Sequence, residues 1–294
     1  LERIQGYVDI EHEKPATKTG RPPAYWPASG DLRVQNLSAR YSEDGPEILH
    51  NISFTVKSGE RIGVGKLVFL SPRGCMIYSR KVGRTGSGKS SLTLALLRCI
   101  PTQGSMIYDV DTSQLNLDSL RSSITIIPQV PELLSGTLRA NLDPFGQYDD
   151  VALNAALRSA GLFALQSEME EDQITLDSAV STGGILARAL VRKSKILISD
   201  EATSAIDYKS DSIIQNSLRQ ELHDVSLITV AHRLQTIMDA DKIESAMVLD
   251  SGNLVEFDSP KELLKIQDGK LWALVEESGD KEALYAMANA NQFV

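Results

Sequence analysis

The 294-residue chain is 42% hydrophobic, which suffices for one large domain or two small domains with a proper core. Its net charge of −9 argues against a nucleic-acid-binding surface, so no nucleic-acid partner is expected. Two cysteines, Cys75 and Cys99, lack metal-ligand spacing and suit a reducing cytosol. No apolar run approaches the ~20 residues of a membrane helix, and no signal-peptide pattern occurs.

The first thirty residues are polar and proline-rich, which predicts a linker arriving from an upstream element. Because the chain opens with Leu1 and not Met, we expect a fragment of a longer protein. From Asp31 onward we expect one domain, residues 31–294, with a separate and mostly helical insertion at about residues 129–184.

Hydrophobic periodicity predicts alternating strands and helices along the rest of the chain. The predicted strands are 32–37, 52–56, 61–64, 124–127, 196–199 and 226–230, and the predicted helices are 91–98, 150–160, 210–222 and 234–240. The last two strands are continuous apolar runs, typical of strands buried on both faces. The pattern predicts an α/β fold with a mainly parallel sheet.

The most informative stretch reads Gly-Arg-Thr-Gly-Ser-Gly-Lys-Ser over residues 83–90. It fits the phosphate-loop pattern G-x-x-x-x-G-K-[ST], in which backbone N–H groups form an anion-binding nest ahead of a helix. Lys89 can reach the outer phosphates, and the Ser90 hydroxyl can bind Mg²⁺. The predicted nucleotide-binding residues of this loop are Gly83, Arg84, Thr85, Gly86, Ser87, Gly88, Lys89, Ser90 and Ser91.

A second constellation follows the predicted strand 196–199, which ends in two acids. Asp200 at the strand end would hold Mg²⁺, and Glu201 would orient or deprotonate the attacking water. His232 follows the strand 226–230, close to the expected γ-phosphate position. Gln129 stands at the entrance to the helical insertion, and Tyr41 could stack on an adenine ring.

In this order the motifs resemble the nucleotide-binding domain of an ABC transporter, and specifically the second such domain of the multidrug-resistance-protein (class C) subfamily. The resemblance matches Tyr41 to the adenine-stacking loop, residues 83–90 to Walker A and Gln129 to the Q-loop. Asp200 and Glu201 then match Walker B and its base, residues 204–207 the D-loop, and His232 the switch histidine. Residues 135–144 and 252–258 carry the subfamily character.

The resemblance implies a P-loop NTPase (RecA-like) parallel-sheet core with an antiparallel β subdomain and a helical subdomain. It implies ATP and Mg²⁺ as cofactors, with Gln129 joining Ser90 and Asp200 at the metal, and Glu201, His232 and Gln129 in catalysis. The implied partners are a second nucleotide-binding domain, which supplies a signature motif, and the transmembrane domains of the same transporter. The domain would lie on the cytosolic face of a membrane. Because Glu201 is present and no further domain follows, the second-domain position is expected.

Two departures from the family pattern bear on function. The first is an insertion at residues 65–81, since joining Val64 to Val82 restores an uninterrupted strand into the phosphate loop. Such insertions usually occur at loop tips, where closure costs little. One hypothesis is a retained short intron in the gene model; the alternative is a real loop that bulges outward while Val82 completes the strand.

The second departure is a deletion after Gly184. The family places a Leu-Ser-x-Gly-Gln-type signature there, whereas this chain continues directly into Ile185. A partner's signature would cap the ATP of this chain, but this chain could not cap the partner's ATP. The open alternatives are an ATPase half of an exporter, an ATP-binding domain without useful turnover, and an unfolded product of a faulty gene model. A fourth alternative is a phosphate-loop enzyme outside the transporters.

Overall fold

The structure is a computed structural model that describes residues 5, 12–13, 15–66, 88–128, 134–160, 175–178, 183–200, 224–231, 234–238 and 243–289, with the helix backbone but not the side chains at 183–186. The strands are β1 (Leu32–Arg40), β2 (Glu47–Val56), β3 (Arg61–Lys66), β4 (Thr102–Tyr108), β5 (Val110–Asp111), β6 (Ile124–Ile127), β7 (Ile196–Asp200), β8 (Ser226–Val230), β9 (Ser245–Asp250) and β10 (Asn253–Asp258). The helices are α1 (Lys89–Leu96), α2 (Leu117–Ser123), α3 (Leu138–Leu142), α4 (Asp150–Ser159), α5 (Gly183–Val191), α6 (Leu234–Met238), α7 (Pro260–Leu263), α8 (Lys270–Glu276) and α9 (Lys281–Asn289), with a 3₁₀ turn at Thr112–Gln114. None of the described helices has the length and apolar character needed to cross a bilayer.

The strands form two sheets. A four-stranded antiparallel sheet has the order β2-β1-β4-β5, and a six-stranded sheet has the order β10-β9-β3-β8-β7-β6. In the larger sheet β9, β3, β8, β7 and β6 run parallel, and β10 pairs antiparallel with β9 at one edge. The predicted α/β class with a mainly parallel sheet is confirmed.

The strand β7 shows why its sequence is continuously apolar. Ile196, Leu197 and Ile198 are all buried. Ile196 and Ile198 belong to a cluster that joins both sheets and α1, whereas Leu197 packs on the opposite side with α3, α4 and α5. The strand therefore buries both faces, as its sequence predicts.

The path of β3 bears on the two alternatives for the insertion. After Val64, Gly65 and Lys66 continue the strand and pair with Val248 and Leu249 of β9, whereas Val82 lies outside the described residues. Gly65 thus occupies the register position that Val82 would take. A Cβ there would lie 2.3 Å from Cδ1 of Ile237, so the closely packed α6 favours glycine.

Other boundaries lie within a few residues of the predictions, and the observed strands β1 and β2 are longer than predicted. The strands at 124–127 and 226–230 end as predicted, and the helix predicted at 150–160 is α4. The helix predicted at 91–98 begins earlier, at Lys89, and ends at Leu96. The helix predicted at 210–222 lies outside the described residues. Within the predicted helical insertion the structure describes α3, α4 and the start of α5.

Candidate functional site

The N-terminal end of α1 is built for a close approach of another group. Gly88 precedes the helix with φ of 91°, a left-handed conformation that favours glycine. A Cβ at this position would lie 2.8 Å from Cδ2 of Leu49. No side chain among the described residues caps this end of α1, so its first-turn N–H groups suit an external acceptor such as an anion.

Lys89, the first residue of α1, points its charge at the edge of the large sheet. Its ammonium donates to the carbonyl of Ala231 at 2.7 Å, and the residue is 5% exposed. Ala231 follows β8, and its N–H donates to the Val64 carbonyl in β3 at 2.9 Å. An ammonium has three donors and can bond to more than one acceptor.

The two serines after Lys89 differ in their surroundings. Ser90 is exposed, so its hydroxyl is open to a ligand, whereas Ser91 is buried. The Ser91 Oγ lies 2.9 Å from the hydroxyl of Tyr41, which follows β1. Tyr41 is 47% exposed. The structure therefore brings Tyr41 to the first turn of α1, in reach of a ligand bound there.

Asp200 ends β7 and lies beside the end of β8, where it pairs in register with Val230. Val230 in turn pairs with Val64 of β3. Since carboxyl ends of parallel strands meet at one edge of a sheet, Asp200 and the Lys89–Ala231 contact share that edge. A half-buried carboxylate, an exposed serine hydroxyl and an ammonium at a helix N-terminus form a donor set that fits a polyphosphate with a hard divalent cation.

Several predicted site residues lie outside the described residues, namely Gly83, Arg84, Thr85, Gly86, Ser87, Gln129, Glu201 and His232. By chain connectivity Glu201 comes directly after β7, His232 comes one residue after Ala231, and Gln129 follows β6 and Pro128. Sequence reasoning missed the Ala231 carbonyl, because a backbone acceptor leaves no signal in residue type. It also missed the Tyr41–Ser91 hydrogen bond, which joins residues far apart in the chain.

The subfamily motif at residues 135–144 has a structural explanation. Thr137 caps α3 by accepting from the Ala140 N–H at 3.3 Å. The buried side chain of Asn141 accepts from the Leu134 N–H and donates to the Leu134 carbonyl, both at 2.8 Å. Backbone N–H groups, foremost that of Gln147, hold the pKa of Asp143 below its usual range. These side chains shape a loop and its following helix.

The second subfamily motif, residues 252–258, also shapes the fold. Glu256 accepts hydrogen bonds from the N–H groups of Lys270 and Leu271, at 2.5 and 2.9 Å. These are the first two residues of α8, so the carboxylate caps this helix and complements its dipole. Gly252, with φ of 80°, turns β9 into β10, and its carbonyl accepts from the His50 N–H at 2.9 Å.

Comparison with known proteins matches this chain to one family. A family model described as "ABC transporter" matches residues 81–204. The match starts at the last residue of the predicted insertion and includes the phosphate loop, α1 and the Asp200 strand.

Curated relatives cover nearly the whole chain. ATP-binding cassette sub-family C member 2 of Rattus norvegicus is 42% identical over 292 residues, which are 95% of this chain and 17% of the relative. Metal resistance protein YCF1 of Saccharomyces cerevisiae is 38% identical over 95% of this chain and 18% of its own length. ATP-binding cassette sub-family C member 4 of Homo sapiens is 38% identical over 99% of this chain and 21% of its own length. The chain therefore spans about a fifth or less of these relatives.

A solved structure of a bacterial Atm1-family ABC exporter with ATP bound superposes with a TM-score of 0.74 at 25% sequence identity. The match covers 95% of this chain and 47% of the exporter chain. The expected P-loop NTPase core with its antiparallel and helical parts is confirmed by this likeness and by the two sheets described above.

Proposed function

This chain belongs to the nucleotide-binding domains of ABC transporters, of the class C (multidrug-resistance-protein) type, and we propose that it binds Mg·ATP and hydrolyses it together with a partner domain. In the proposed assembly, ATP-driven pairing of two such domains moves the transmembrane domains of an exporter. The observation that carries the proposal is the approach of Lys89 to the carbonyl end of β8, beside Asp200 at the end of β7.

The phosphates of ATP would lie at the N-terminal end of α1. We assign the loop residues 83–88 to backbone contacts, Lys89 to the outer phosphates and Ser91 to the inner phosphate side. Tyr41 would stack on the adenine, since its half-exposed ring is held at the first turn of α1.

Magnesium, held by Ser90, Asp200 and Gln129, would neutralise charge on the phosphate oxygens. In hydrolysis Glu201 orients the water that attacks the terminal phosphorus, and ADP and inorganic phosphate are released. His232 and Gln129 complete the catalytic set. Their chain positions support this assignment. Gln129 follows β6, Glu201 follows β7 and His232 follows β8, so each comes after the carboxyl end of a parallel strand.

The missing signature makes the proposed motor asymmetric. The helix α5 begins at Gly183, and the chain passes from Gly184 to Ile185 with no Leu-Ser-x-Gly-Gln stretch. A homodimer would then contain two incomplete sites. We propose instead that a first-half domain supplies its signature to the ATP held here. The same deletion favours a second candidate function, ATP binding without turnover.

The proposed setting is the cytosolic face of a membrane, with residues 1–30 leading from a transmembrane region. Residues 31–294 would form the ATP-binding domain, and residues from about 129 to 184 its helical subdomain. The contacts of α3 and α4 with α5 support a helical unit there, since their buried side chains form one cluster.

The deciding experiment measures ATP binding and steady ATP consumption in the intact chain and in Glu201→Gln, each alone and with a separately produced first-half domain. The motor proposal expects consumption with the partner, lost in Glu201→Gln while binding persists. Equal background consumption in both proteins, with binding retained, would favour the binding-only function. Absence of ATP binding in the intact chain would refute both.

A further inference from the structure

The segment before β1 is fastened to the domain at the turn between β4 and β5 of the small sheet. In this segment Trp26 is 9% exposed, and its indole Nε1–H donates to the Tyr108 carbonyl at 2.7 Å. The two rings meet edge to face, with centroids 5.3 Å apart. The Asp109 carboxylate accepts from the N–H groups of Ala28 and Ser29, at 2.8 and 3.1 Å. We call residues 12–30, as far as they are described, the strap.

Farther from β1 the strap lies against the start of α2. The side chain of Asn116, which precedes this helix, accepts from the Thr17 N–H and donates to the Thr17 carbonyl, both at 2.9 Å. The Asn116 N–H donates to the Gly20 carbonyl at 2.8 Å. These three bonds tie the strap to one end of α2.

At the other end of α2, Arg121 binds two parts of the protein at once. Its guanidinium makes a two-point contact with the Glu13 carboxylate, at 2.8 and 2.6 Å. It also donates to the carbonyls of Leu97 and Arg98, each at 3.1 Å. Those carbonyls terminate α1, so one side chain joins the strap to the C-terminal end of the phosphate-loop helix.

The helix α1 connects this contact to the candidate site. It is eight residues long, or about 12 Å, and its continuous backbone hydrogen bonds link its two ends. Its far end carries Lys89, whose ammonium binds the Ala231 carbonyl. The helix α2 also runs directly into β6, and Gln129 follows β6 in the chain. The strap therefore rests on α2, which contacts the C-terminal end of α1 and precedes β6, and both elements lead to the predicted ATP site at their other ends.

We propose that Arg121 is a positioning residue that couples docking of the strap on α2 to nucleotide binding at the N-terminal end of α1. This inference rests on the proposed ATP binding. A docked strap holds Arg121 through Glu13, and Arg121 holds the end of α1. Because such coupling is reciprocal, ATP must stabilise the docked strap by the same factor by which the docked strap strengthens ATP binding.

The test uses the full 294-residue chain and two readouts. The first is the ATP dissociation constant by titration. The second is hydrogen exchange at the amides of Thr17 and Gly20, which donate to Asn116 Oδ1 and Thr17 Oγ1. In the unchanged chain ATP is expected to slow this exchange. Arg121→Gln is expected to weaken ATP binding about threefold, in the range of a well-formed exposed ion pair, and to abolish the effect of ATP on strap exchange.

Two further variants make the outcome specific. Glu13→Gln removes the strap side of the pair at a largely exposed position, so it tests the coupling even where Arg121→Gln fails to fold, and the same direction is expected. Arg139→Gln is the matched control, because it removes an exposed arginine–aspartate pair with Asp150 in the α3–α4 region. It should leave both readouts unchanged.

Two results would overturn the coupling while leaving ATP binding intact. One is an unchanged ATP affinity in folded Arg121→Gln and in Glu13→Gln. The other is hydrogen exchange in the strap of the unchanged chain that does not respond to ATP. No ATP binding by the unchanged chain would instead overturn the proposed function on which the coupling rests. A purely structural role for Arg121 would lower the melting temperature and leave the response of strap exchange to ATP intact.

Discussion

Lys89 brings a positive charge into a nearly closed space at the edge of the large sheet, where it binds the Ala231 carbonyl. The contact does two things. It keeps the ammonium at the first turn of α1, and it ties that turn to the end of β8. The residue that precedes His232 in the chain is thus held by the lysine of the phosphate loop.

Replacing Lys89 with alanine is expected to weaken ATP binding roughly tenfold to a hundredfold, because hydrogen bonds to charged groups contribute about 1.5–3 kcal/mol. Isothermal titration with ATP measures the effect. Lys265→Ala is the control, since Lys265 is a largely exposed lysine on the surface, paired with Glu262. Unaltered affinity in Lys89→Ala would contradict the phosphate role.

Glu244, which directly precedes β9, is expected to reduce stability at neutral pH. Partial desolvation and the nearby Glu60 carboxylate raise its pKa above the ordinary value of 4.5. The folded state then binds the proton more tightly than the unfolded state, so this contribution to stability is fully present at low pH. It is lost as pH rises through the folded-state pKa.

Glu244→Gln removes that charge and should raise the denaturant midpoint at pH 7 while leaving it unchanged near pH 3.5. The gain is small, since much of the residue is exposed to solvent. Glu277→Gln, an exposed position after α8, serves as the control. A variant midpoint lower than the parent's at pH 7 would show that the sign is wrong.

At the scale of elements, helix ends depend on side chains from distant strands. The carboxylate of Glu256 in β10 supplies the acceptor for the first N–H groups of α8, and the preceding residue Gly269 offers no side chain for the purpose. α8 in turn contributes Leu271 and Val275 to a buried cluster with α6, α7, α9 and β9. One charged side chain from β10 therefore stabilises the start of a helix that packs in this cluster.

Glu256→Ala is expected to lower the free energy of unfolding by about 1–2 kcal/mol, the usual cost of a lost helix cap. Chemical denaturation monitored by circular dichroism measures the change. Glu282→Ala removes an exposed acid from the first turn of α9 and controls for the helix dipole alone. Equal small losses in the two variants would argue against the capping role.

At the scale of the whole molecule, the insertion determines how β3 reaches the phosphate loop. Among the described residues the strand continues over Gly65 and Lys66, the first two residues of the predicted insertion. The pairings of β3 with β8 and β9 do not require residues after Lys66. The described pairings of the larger sheet are therefore compatible with an insertion at residues 65–81.

Deleting residues 65–81 should preserve the fold and strengthen ATP binding. Val82 and Gly83 then replace Gly65 and Lys66 in β3, and the shorter connection to Gly88 lowers the entropic cost of ordering the loop by roughly 1 kcal/mol. The Ile237 side chain must yield to the new Cβ. Melting temperature and ATP titration measure the result. Gly65→Val is the control that adds this crowding and keeps the insertion; weaker ATP binding by the deletion variant would contradict the prediction.

The sequence alone predicted the elements whose local residue pattern is sufficient to identify them, without knowledge of their contacts in the fold. The runs at 124–127 and 226–230 are strands, because continuous β-branched and aliphatic residues suit a strand that is covered on both faces of the sheet. The phosphate-loop pattern predicted a helix directly after it, at 91–98, and the structure begins that helix two residues earlier, at Lys89. Sequence similarity in motif order also predicted the family.

Only the tertiary structure decided which groups meet. The Lys89–Ala231 bond, the Tyr41–Ser91 bond and the Arg121 contact with Glu13 join residues far apart in the chain, and backbone acceptors have no signature in residue type. The end of β3 was likewise decided by pairing. Gly65 and Lys66 have weak strand character of their own, but β9 offers an open ladder of hydrogen bonds that they satisfy. Local pattern determines which elements can form, and the requirement to pair and bury their polar backbone determines where they end and what they touch.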